Sequence, residues 1–362
     1  MRNTHMKTLF LCLFVLPLSF LCIGAKGSES MTALHYAAQN EALQRVKLLV
    51  ENGFDVNEKD GHGQTSLHMA AQRLSFYPEN VEIVNYLMEK GALINEKDNN
   101  DKTAIMNAAY LGNLDVIKIL IGKGATINEK NNKGNTALHY ASGSYGPGVG
   151  NAQLVKFLIE NGAHIDEKNN EGETAFHYAA DNENIDIVKY FVEKGFQVND
   201  KNIHGWSAFH FAAYRGNLAV VKLLVENGAK VNEKNNDGDT AIGYKSVLEN
   251  IALVKFLVEH GANVNEKYDL FDGQTPLHFA VYLNDDTVKF LIESGAHINE
   301  RDNFGRTPLH SAAESGSLRA IKLLVDNGAK VGEKDNQGLT ALDFAEIRMR
   351  GLDLIHYLRE NL

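Results

Sequence analysis

Cysteine is nearly absent from this sequence. The 362 residues include only 2 cysteines, Cys12 and Cys22, and both lie near the N-terminus. A chain that begins after residue 27 contains none, which excludes disulfide bonds and thiolate chemistry. Proline is also scarce, with 5 residues, and 44% of the residues are hydrophobic. This composition favours an ordered globular chain over a disordered or collagen-like one.

Long apolar runs are missing too, apart from one near the N-terminus. The run from Leu9 to Ile23 is 15 residues long, shorter than the ~20 residues that a membrane-spanning helix needs. A basic end precedes it and small residues follow it, as in a secretory signal peptide. We therefore expect residues 1–27 to be a cleaved signal peptide, with no membrane span afterwards and a periplasmic or secreted location. Retention of the run as an anchor and acylation of Cys22 are the alternatives.

Basic residues are fewer than acidic ones, 36 against 46. The formal net charge is −10, and removal of residues 1–27, which hold three basic residues and no acidic one, lowers it to −13. An acidic chain repels phosphate groups. We therefore expect neither nucleic acid nor an anionic membrane surface as a main partner.

The sequence contains an internal repeat. The stretch TALHYA occurs at Thr32–Ala37 and again at Thr136–Ala141, and related stretches recur, most often 33 residues apart. Such a period indicates stacked repeats rather than two or three separate globular domains. The ten repeats open at Thr32, Thr65, Thr103, Thr136, Thr174, Ser207, Thr240, Thr275, Thr307 and Thr340.

These motifs resemble those of the ankyrin-repeat family, whose unit has the same period and opens with Thr-Pro-Leu-His. That tetrapeptide occurs at Thr275–His278 and Thr307–His310. The resemblance implies an all-α fold over residues 28–362, an ankyrin-repeat solenoid of about ten helix-turn-helix repeats with projecting β-hairpin-like fingers. It also implies a monomeric, non-catalytic module that binds another protein and needs neither cofactor nor metal.

The residues support the same unit without the family name. Thr or Ser before an apolar-periodic stretch is a helix N-cap, and Pro276 and Pro308 occupy first-turn positions where proline is tolerated. Stretches such as VVKLLVENG place Val and Leu at helical spacing and end at a glycine that can adopt the left-handed conformation. No unit can bury its apolar face alone, so we expect the repeats to stack.

Half of the 14 histidines occupy one position of the repeat. Catalysis or metal binding needs histidines that converge with other ligands or with a nucleophile, whereas these occur once per repeat. The resemblance implies that each ties the start of the first helix to neighbouring backbone, so we expect a structural role and no enzymatic activity. These motif histidines are His35, His68, His139, His177, His210, His278 and His310.

Two insertions interrupt the period. Gly143–Gly150 is rich in glycine, but it follows a helix and lacks the Gly-Lys-Ser/Thr ending of a phosphate-binding loop. Leu74–Asn80 lengthens the second repeat in the same way. We expect both to be loops, which vary easily and can contact partners.

An acidic residue followed by a basic one recurs at the same place in nine fingers, as in Glu58-Lys59 and Glu266-Lys267. Adjacent side chains of an extended segment point to opposite faces, so we expect an acidic row and a basic row. A docking strip for a charged partner, or an acidic row that binds cations or small ligands, is the alternative function. We favour a solubilising edge, because exposed pairs contribute only ~0 to 1 kcal/mol.

Large apolar side chains occur where a bare scaffold would have polar ones. In the ankyrin family the concave surface, formed by the fingers and the exposed side of the first helices, sets the partner. Aromatic residues and arginine anchor protein interfaces. The positions expected to bind the partner are Tyr110, Trp206, Tyr214, Arg215, Phe271, Tyr282 and Phe304. Aromatic residues directly after the motif histidine, such as Tyr36 and Phe279, are expected in the core instead.

The seventh repeat departs from the pattern. It has Gly243 at the position of the motif histidine and Lys245-Ser246 in place of the usual alanine pair. We expect this repeat to lack both the histidine tie and the close helix contact. We therefore expect a weakly coupled repeat whose amides are less protected than those of the sixth repeat.

Overall fold

The computed structural model describes residues 31–40, 42–73, 79–143 and 151–362. The predicted signal peptide, with both cysteines, and nearly all of the two predicted insertions lie outside the described residues. The chain divides into two compact units, one that ends at Tyr178 and one that begins at Ala179. In both, each repeat has an inner helix followed by an outer helix, and a finger leads into each following inner helix. A finger is numbered with the repeat whose inner helix it precedes, so the eighth finger ends at Thr275.

The first unit consists of helix pairs. Inner helices pack against inner helices, and outer helices against outer helices, which gives two helical layers. The inner helices are Ala33–Asn40, Ser66–Ala71, Ala104–Tyr110 and Ala137–Ser142. The outer helices are Leu43–Glu51, Asn80–Glu89, Leu114–Gly122 and Asn151–Glu160. The inner helix of the fifth repeat, Ala175–Asp181, contains the boundary between the units.

The second unit has the same two layers. Its inner helices are Ala208–Arg215, Lys245–Glu249, Pro276–Ala280, Pro308–Ser315 and Ala341–Ile347. Its outer helices are Ile185–Glu193, Leu218–Glu226, Ile251–Glu259, Asp285–Glu293, Leu318–Asp326 and Leu352–Glu360. Two 3-10 helices, Ala241–Gly243 and Asp269–Phe271, complete it. The predicted all-α fold is confirmed, and the described residues contain only isolated bridges, Lys201–Ser207 and Tyr268–Gln274, in place of strands.

A capping box starts most inner helices, as in the fourth repeat. The backbone N–H of Thr136 donates to Nδ1 of His139 at 3.2 Å, and the threonine hydroxyl lies 2.9 Å from the same nitrogen. His139 Nε2 then donates to the backbone carbonyl of Glu173 in the next repeat, at 3.1 Å. The tie predicted for the motif histidine is therefore present, and it joins successive repeats.

Asparagine and glycine set the limits of the outer helices. Asn217 accepts the backbone N–H of Val220 at 3.0 Å through its side-chain oxygen, which satisfies a free donor at the helix start. After the same helix Gly228 has a φ of 92°, a left-handed conformation that favours glycine. These local signals explain why an outer helix of nine or ten residues recurs in each repeat.

The fingers are tight turns that join neighbouring repeats. Asn131 accepts backbone N–H groups from Lys133 at 3.0 Å and Asn135 at 2.8 Å. Gly134 has a φ of 77°, and a side chain there would meet the backbone nitrogen of Asn170 at 2.8 Å. That nitrogen donates to the carbonyl of Lys133 at 3.0 Å, so the next finger stacks directly on this turn.

The finger charges do not form the two predicted rows. Within each unit the basic residue of one finger pairs with the acidic residue of the next, as Lys59 does with Glu96 at 2.6 Å and Lys267 with Glu300 at 2.6 Å. Lys267 also donates to the backbone carbonyl of Arg301 at 3.0 Å. The prediction is wrong because a long basic side chain reaches across to the next finger. Acids and bases therefore alternate along one line, the finger ladder.

The inner helix of the seventh repeat is broken at Tyr244, whose extended backbone separates Ala241–Gly243 from Lys245–Glu249. Tyr268, from the longer eighth finger, fills the space of the missing histidine, and its hydroxyl lies 3.0 Å from that of Thr240. The histidine tie is absent, as predicted, but the prediction that the repeat loses its tie altogether is wrong. Tyr268, 28 residues after Thr240, replaces the histidine.

Candidate functional site

Five motif histidines are structural groups in a neutral state. Burial lowers the pKa of His139 and of His210 to about 4, and it also lowers the pKa of His68, His278 and His310. Nδ1 accepts from the cap and Nε2 donates to the next repeat, so both ring nitrogens are in use. Neither nitrogen is available to move a proton or bind a metal.

An aromatic cavity lies at the seventh repeat, within the second unit. Its volume is about 620 Å³, within the range of about 300–1,000 Å³ that is usual for small-molecule sites. Seven aromatic side chains line it, with two carboxylates and one lysine among the polar residues. The aromatic residues are Trp206, Tyr214, Tyr244, Tyr268, Phe271, Phe279 and Tyr282, and the charged residues are Asp239, Glu249 and Lys245.

Two departures from the repeat pattern form this cavity. Tyr244 breaks the inner helix, so the seventh repeat has no regular helix of seven or eight residues on this face. The eighth finger is longer and carries Phe271, which is 50% exposed, out beside the next inner helix. Tyr268 lies buried at the base, where it holds the broken segment in place. The missing helical turn leaves the space, and the long finger encloses it.

The aromatic rings contact one another closely on both sides of the cavity. Trp206 and Tyr244 are stacked with centroids 5.6 Å apart and an angle of 9° between their planes. Tyr214 meets Trp206 edge-on at 5.5 Å and 73°. On the other side Phe271 and Phe279 are 5.5 Å apart at 84°. Such pairs hold the rings in defined positions, so this is a preformed site.

The charge at the cavity is unbalanced. No basic side chain of the described chain forms an ion pair with Asp239, and its Oδ1 is buried without a hydrogen-bond partner there. Burial raises the pKa of Asp239, and it raises that of Tyr244, whose buried hydroxyl also has no partner among the described residues. Lys245 lies 3.6 Å from Glu249, so its positive charge compensates that carboxylate and not Asp239. One carboxylate remains uncompensated.

Four of the seven positions predicted to bind the partner line this cavity: Trp206, Tyr214, Phe271 and Tyr282. The remaining three lie elsewhere. Arg215 makes a two-point ion pair with Asp181 at 2.7 and 2.9 Å.

Phe304 and Tyr110 are not at the aromatic cavity. Phe304 is 47% exposed and has the Arg306 guanidinium over its ring at 5.4 Å. Tyr110 belongs to the first unit, where it borders a more polar cavity of about 390 Å³ together with Asp98 and Lys102. The prediction for these two residues stays a prediction.

Sequence reasoning missed part of the site. Phe279 follows a motif histidine and was expected in the core, but it is half-buried and lines the cavity. Tyr36, predicted to be core on the same grounds, is 50% exposed. Tyr244 and Asp239 were not predicted at all. Two features of the sequence could have indicated them. One is Gly243-Tyr244-Lys245 at the position of the motif histidine, and the other is the two extra residues in the finger that follows.

A family model for ankyrin repeats (3 copies) matches the chain in overlapping segments, residues 13–98, 77–169, 147–235, 228–302 and 284–361. The chain belongs to the ankyrin-repeat family. Ankyrin repeats are in general protein–protein interaction modules, and the family is typically non-catalytic. A comparison with curated proteins gives no match.

Two further findings concern the part of this ankyrin-repeat chain that the structure describes. No helix there combines the length and the apolar character needed to cross a membrane. No three His, Cys, Asp or Glu side chains there are grouped so that they could hold a metal ion.

Proposed function

We propose that this ankyrin-repeat chain is an exported, non-catalytic module that binds a partner protein through the inner helices and fingers of its second unit. The observation that carries the proposal is the group of exposed aromatic side chains around the aromatic cavity. Tyr214 is 54% exposed, Phe271 50% and Tyr282 45%.

The chemistry of this group suits an interface. Large aromatic side chains clustered on a rigid face supply most of the binding free energy in protein complexes. Soluble monomers rarely leave such clusters uncovered unless something binds there. The helix that carries Tyr214 packs on the seventh repeat, and the helix before Tyr282 packs on both neighbouring repeats, so the rings would lose little conformational entropy on binding.

The usual catalytic side chains are engaged elsewhere. Motif histidines use both ring nitrogens, and carboxylates of the finger ladder are paired with lysine, as Glu233 is with Lys201 at 2.5 Å. This pairing also disfavours the alternative of an acidic finger row that binds cations. Export rests on the predicted signal peptide, residues 1–27.

Affinity capture tests the proposal. The purified chain is used as bait on envelope and secreted fractions beside the double variant Tyr214→Ala/Tyr282→Ala. The matched control is Tyr36→Ala, which removes a tyrosine of similar exposure, 50%, from the first unit. We expect a protein that the parent chain and the control hold and the double variant loses.

Circular dichroism establishes that all three chains are folded. Equal capture by the double variant would contradict the position of the site. A folded parent chain that captures no protein from either fraction would contradict protein binding.

A further inference from the structure

We propose that the aromatic cavity binds a small organic cation, a protonated amine carried on an apolar body, as a free ligand. This goes beyond the proposed function, because a purified chain without any protein partner would bind such an amine. The size of the cavity points to a free ligand, since about 620 Å³ is far more than one lysine side chain of a partner would fill.

The lining selects a cation. Aromatic faces carry negative charge density and attract ammonium groups within about 6 Å of the ring centroid. Trp206, the best residue type for this contact, lies at the wall with Tyr214 and Tyr244 beside it. A neutral apolar ligand would also fit against the rings, so the polar groups of the cavity determine which ligand charge is preferred.

Among these polar groups, Asp239 favours a cationic ligand. Its carboxylate borders the cavity, is half-buried, and has no ion-pair partner among the described residues. A charge in a poorly solvated place is costly unless a counter-charge accompanies it. An ammonium group in the cavity would supply that counter-charge, whereas an anion would be repelled by both Asp239 and Glu249.

Two buried polar atoms indicate a ligand with N–H donors. Asp239 Oδ1 and the Tyr244 hydroxyl have no hydrogen-bond partner in the described chain, and Tyr244 is only 9% exposed. Unpaired buried acceptors are rare in native proteins, because each loses its bonds to water. A primary ammonium group has three donors and can satisfy both atoms, which a quaternary ammonium group cannot do.

The chain contains an intrinsic fluorescent probe of the cavity. It has 1 tryptophan, and that residue is Trp206 in the cavity wall. Titration with 2-phenylethylamine at neutral pH, followed by tryptophan fluorescence and calorimetry, should show saturable binding. The neutral 2-phenylethanol and the anionic 3-phenylpropanoate should bind about tenfold more weakly or worse.

Variants identify the carboxylate. Asp239→Asn keeps the shape and removes the charge, and we expect it to weaken amine binding by about tenfold while leaving the alcohol unaffected. The matched control is Asp237→Asn, an exposed acid of the same finger that does not line the cavity. It should bind the amine as the parent chain does.

Several results would overturn the inference. Equal affinity for the amine and the alcohol would mean an apolar site without cation selectivity, and this comparison needs no variant. Absence of binding at millimolar amine to a chain with native circular dichroism would reject the site. Binding of Nα-acetyl-lysine N-methylamide but not of 2-phenylethylamine would assign the cavity to a partner's lysine. None of these measurements involves the captured protein, so the two proposals fail independently.

Discussion

At the scale of single residues, the motif histidines make stability depend on pH. The pKa of His139 and of His210 falls from the ordinary value of 6.5 to about 4, because burial disfavours the charged ring. Between these values the unfolded chain binds more protons than the folded chain. The stability that these two neutral histidines contribute is therefore complete above pH 6.5, and it is lost as the pH falls towards 4. It amounts to on the order of 3 kcal/mol for each histidine.

Urea unfolding at pH 7 and pH 5 measures this effect, and we expect the midpoint to fall at pH 5. In His210→Gln the difference between the two pH values should be smaller than in the parent chain, because one titrating ring is gone. The control His62→Gln changes an exposed finger residue and should keep the full difference. An unchanged pH dependence in His210→Gln would refute the assignment to the motif histidines.

Gly243 is required for steric reasons. A methyl group there would lie 2.4 Å from the ring of Tyr268, which is fully packed and cannot move aside without leaving Thr240. We expect Gly243→Ala to lower the free energy of unfolding by about 1–3 kcal/mol. Gly332→Ala, whose added methyl group meets nothing within 4 Å, is the control and should be nearly neutral in the same urea titration.

At the scale of elements, the seventh repeat is held by a contact from the eighth finger. The hydroxyl of Tyr268 lies 3.0 Å from that of Thr240, and Ser246 donates to the backbone carbonyl of Ala213 at 3.0 Å. The repeat is thus tied on both sides, although its inner helix is short. Its stability depends on a side chain from outside the repeat.

Tyr268→Phe tests this dependence by hydrogen exchange. The variant keeps the ring and removes the hydroxyl, so we expect a loss of about 1 kcal/mol and faster exchange of the amides from Ala241 to Glu249. Exchange of Leu318–Asp326 should stay unchanged. Tyr357→Phe, in the last outer helix, is the control. Equal protection of the seventh repeat in parent chain and variant would show that the hydroxyl contributes nothing.

The finger ladder is a second element-scale feature. Lys267, through its hydrogen bond and its charge, lowers the pKa of Glu300. The stability that this pair contributes is present above the unfolded pKa of glutamate and is lost as the pH falls through the folded one. Lys267 is exposed and Glu300 is only partly buried, so the contribution of the pair should stay within ~1 kcal/mol.

An NMR titration of the Glu300 carboxyl tests the ladder. We expect Lys267→Met to raise the pKa of Glu300 towards its ordinary value and to change stability only slightly. Lys289→Met removes a similarly exposed lysine that lies 3.8 Å from Glu293 instead, and it should leave the Glu300 titration unaltered. The same titration curve in the parent chain and in Lys267→Met would rule out the finger ladder as the cause of the lowered Glu300 pKa.

At the scale of the whole molecule, the proposed export makes a prediction about the mature N-terminus. Small residues after the apolar run predict cleavage after Ala25 or Gly27. Intact-mass spectrometry of the protein from the secreted or periplasmic fraction should give a chain without residues 1–25 or 1–27 and hence without Cys12 and Cys22. A mass that includes residue 1 would contradict cleavage, and added acyl mass on Cys22 would indicate a lipoprotein.

Much of the fold could be predicted from local residues. The Thr and His of the motif, the glycine after each outer helix and the 33-residue period fix the helix pairs, because capping and turn conformations depend on near neighbours in sequence. The finger ladder was only half predictable. The charges of Glu300 and Lys267 were visible, but their pairing depends on how successive fingers stack.

The sequence by itself determined the repeat, its helices and the structural role of the motif histidines, since each depends on residues that are close in the chain or recur in phase. Only the tertiary structure decided the cavity. Tyr268 replaces a histidine 25 positions earlier, at Gly243, and Trp206, Tyr244 and Phe279 line one cavity although three different repeats supply them. Such contacts arise from packing between repeats, which a one-dimensional period does not describe.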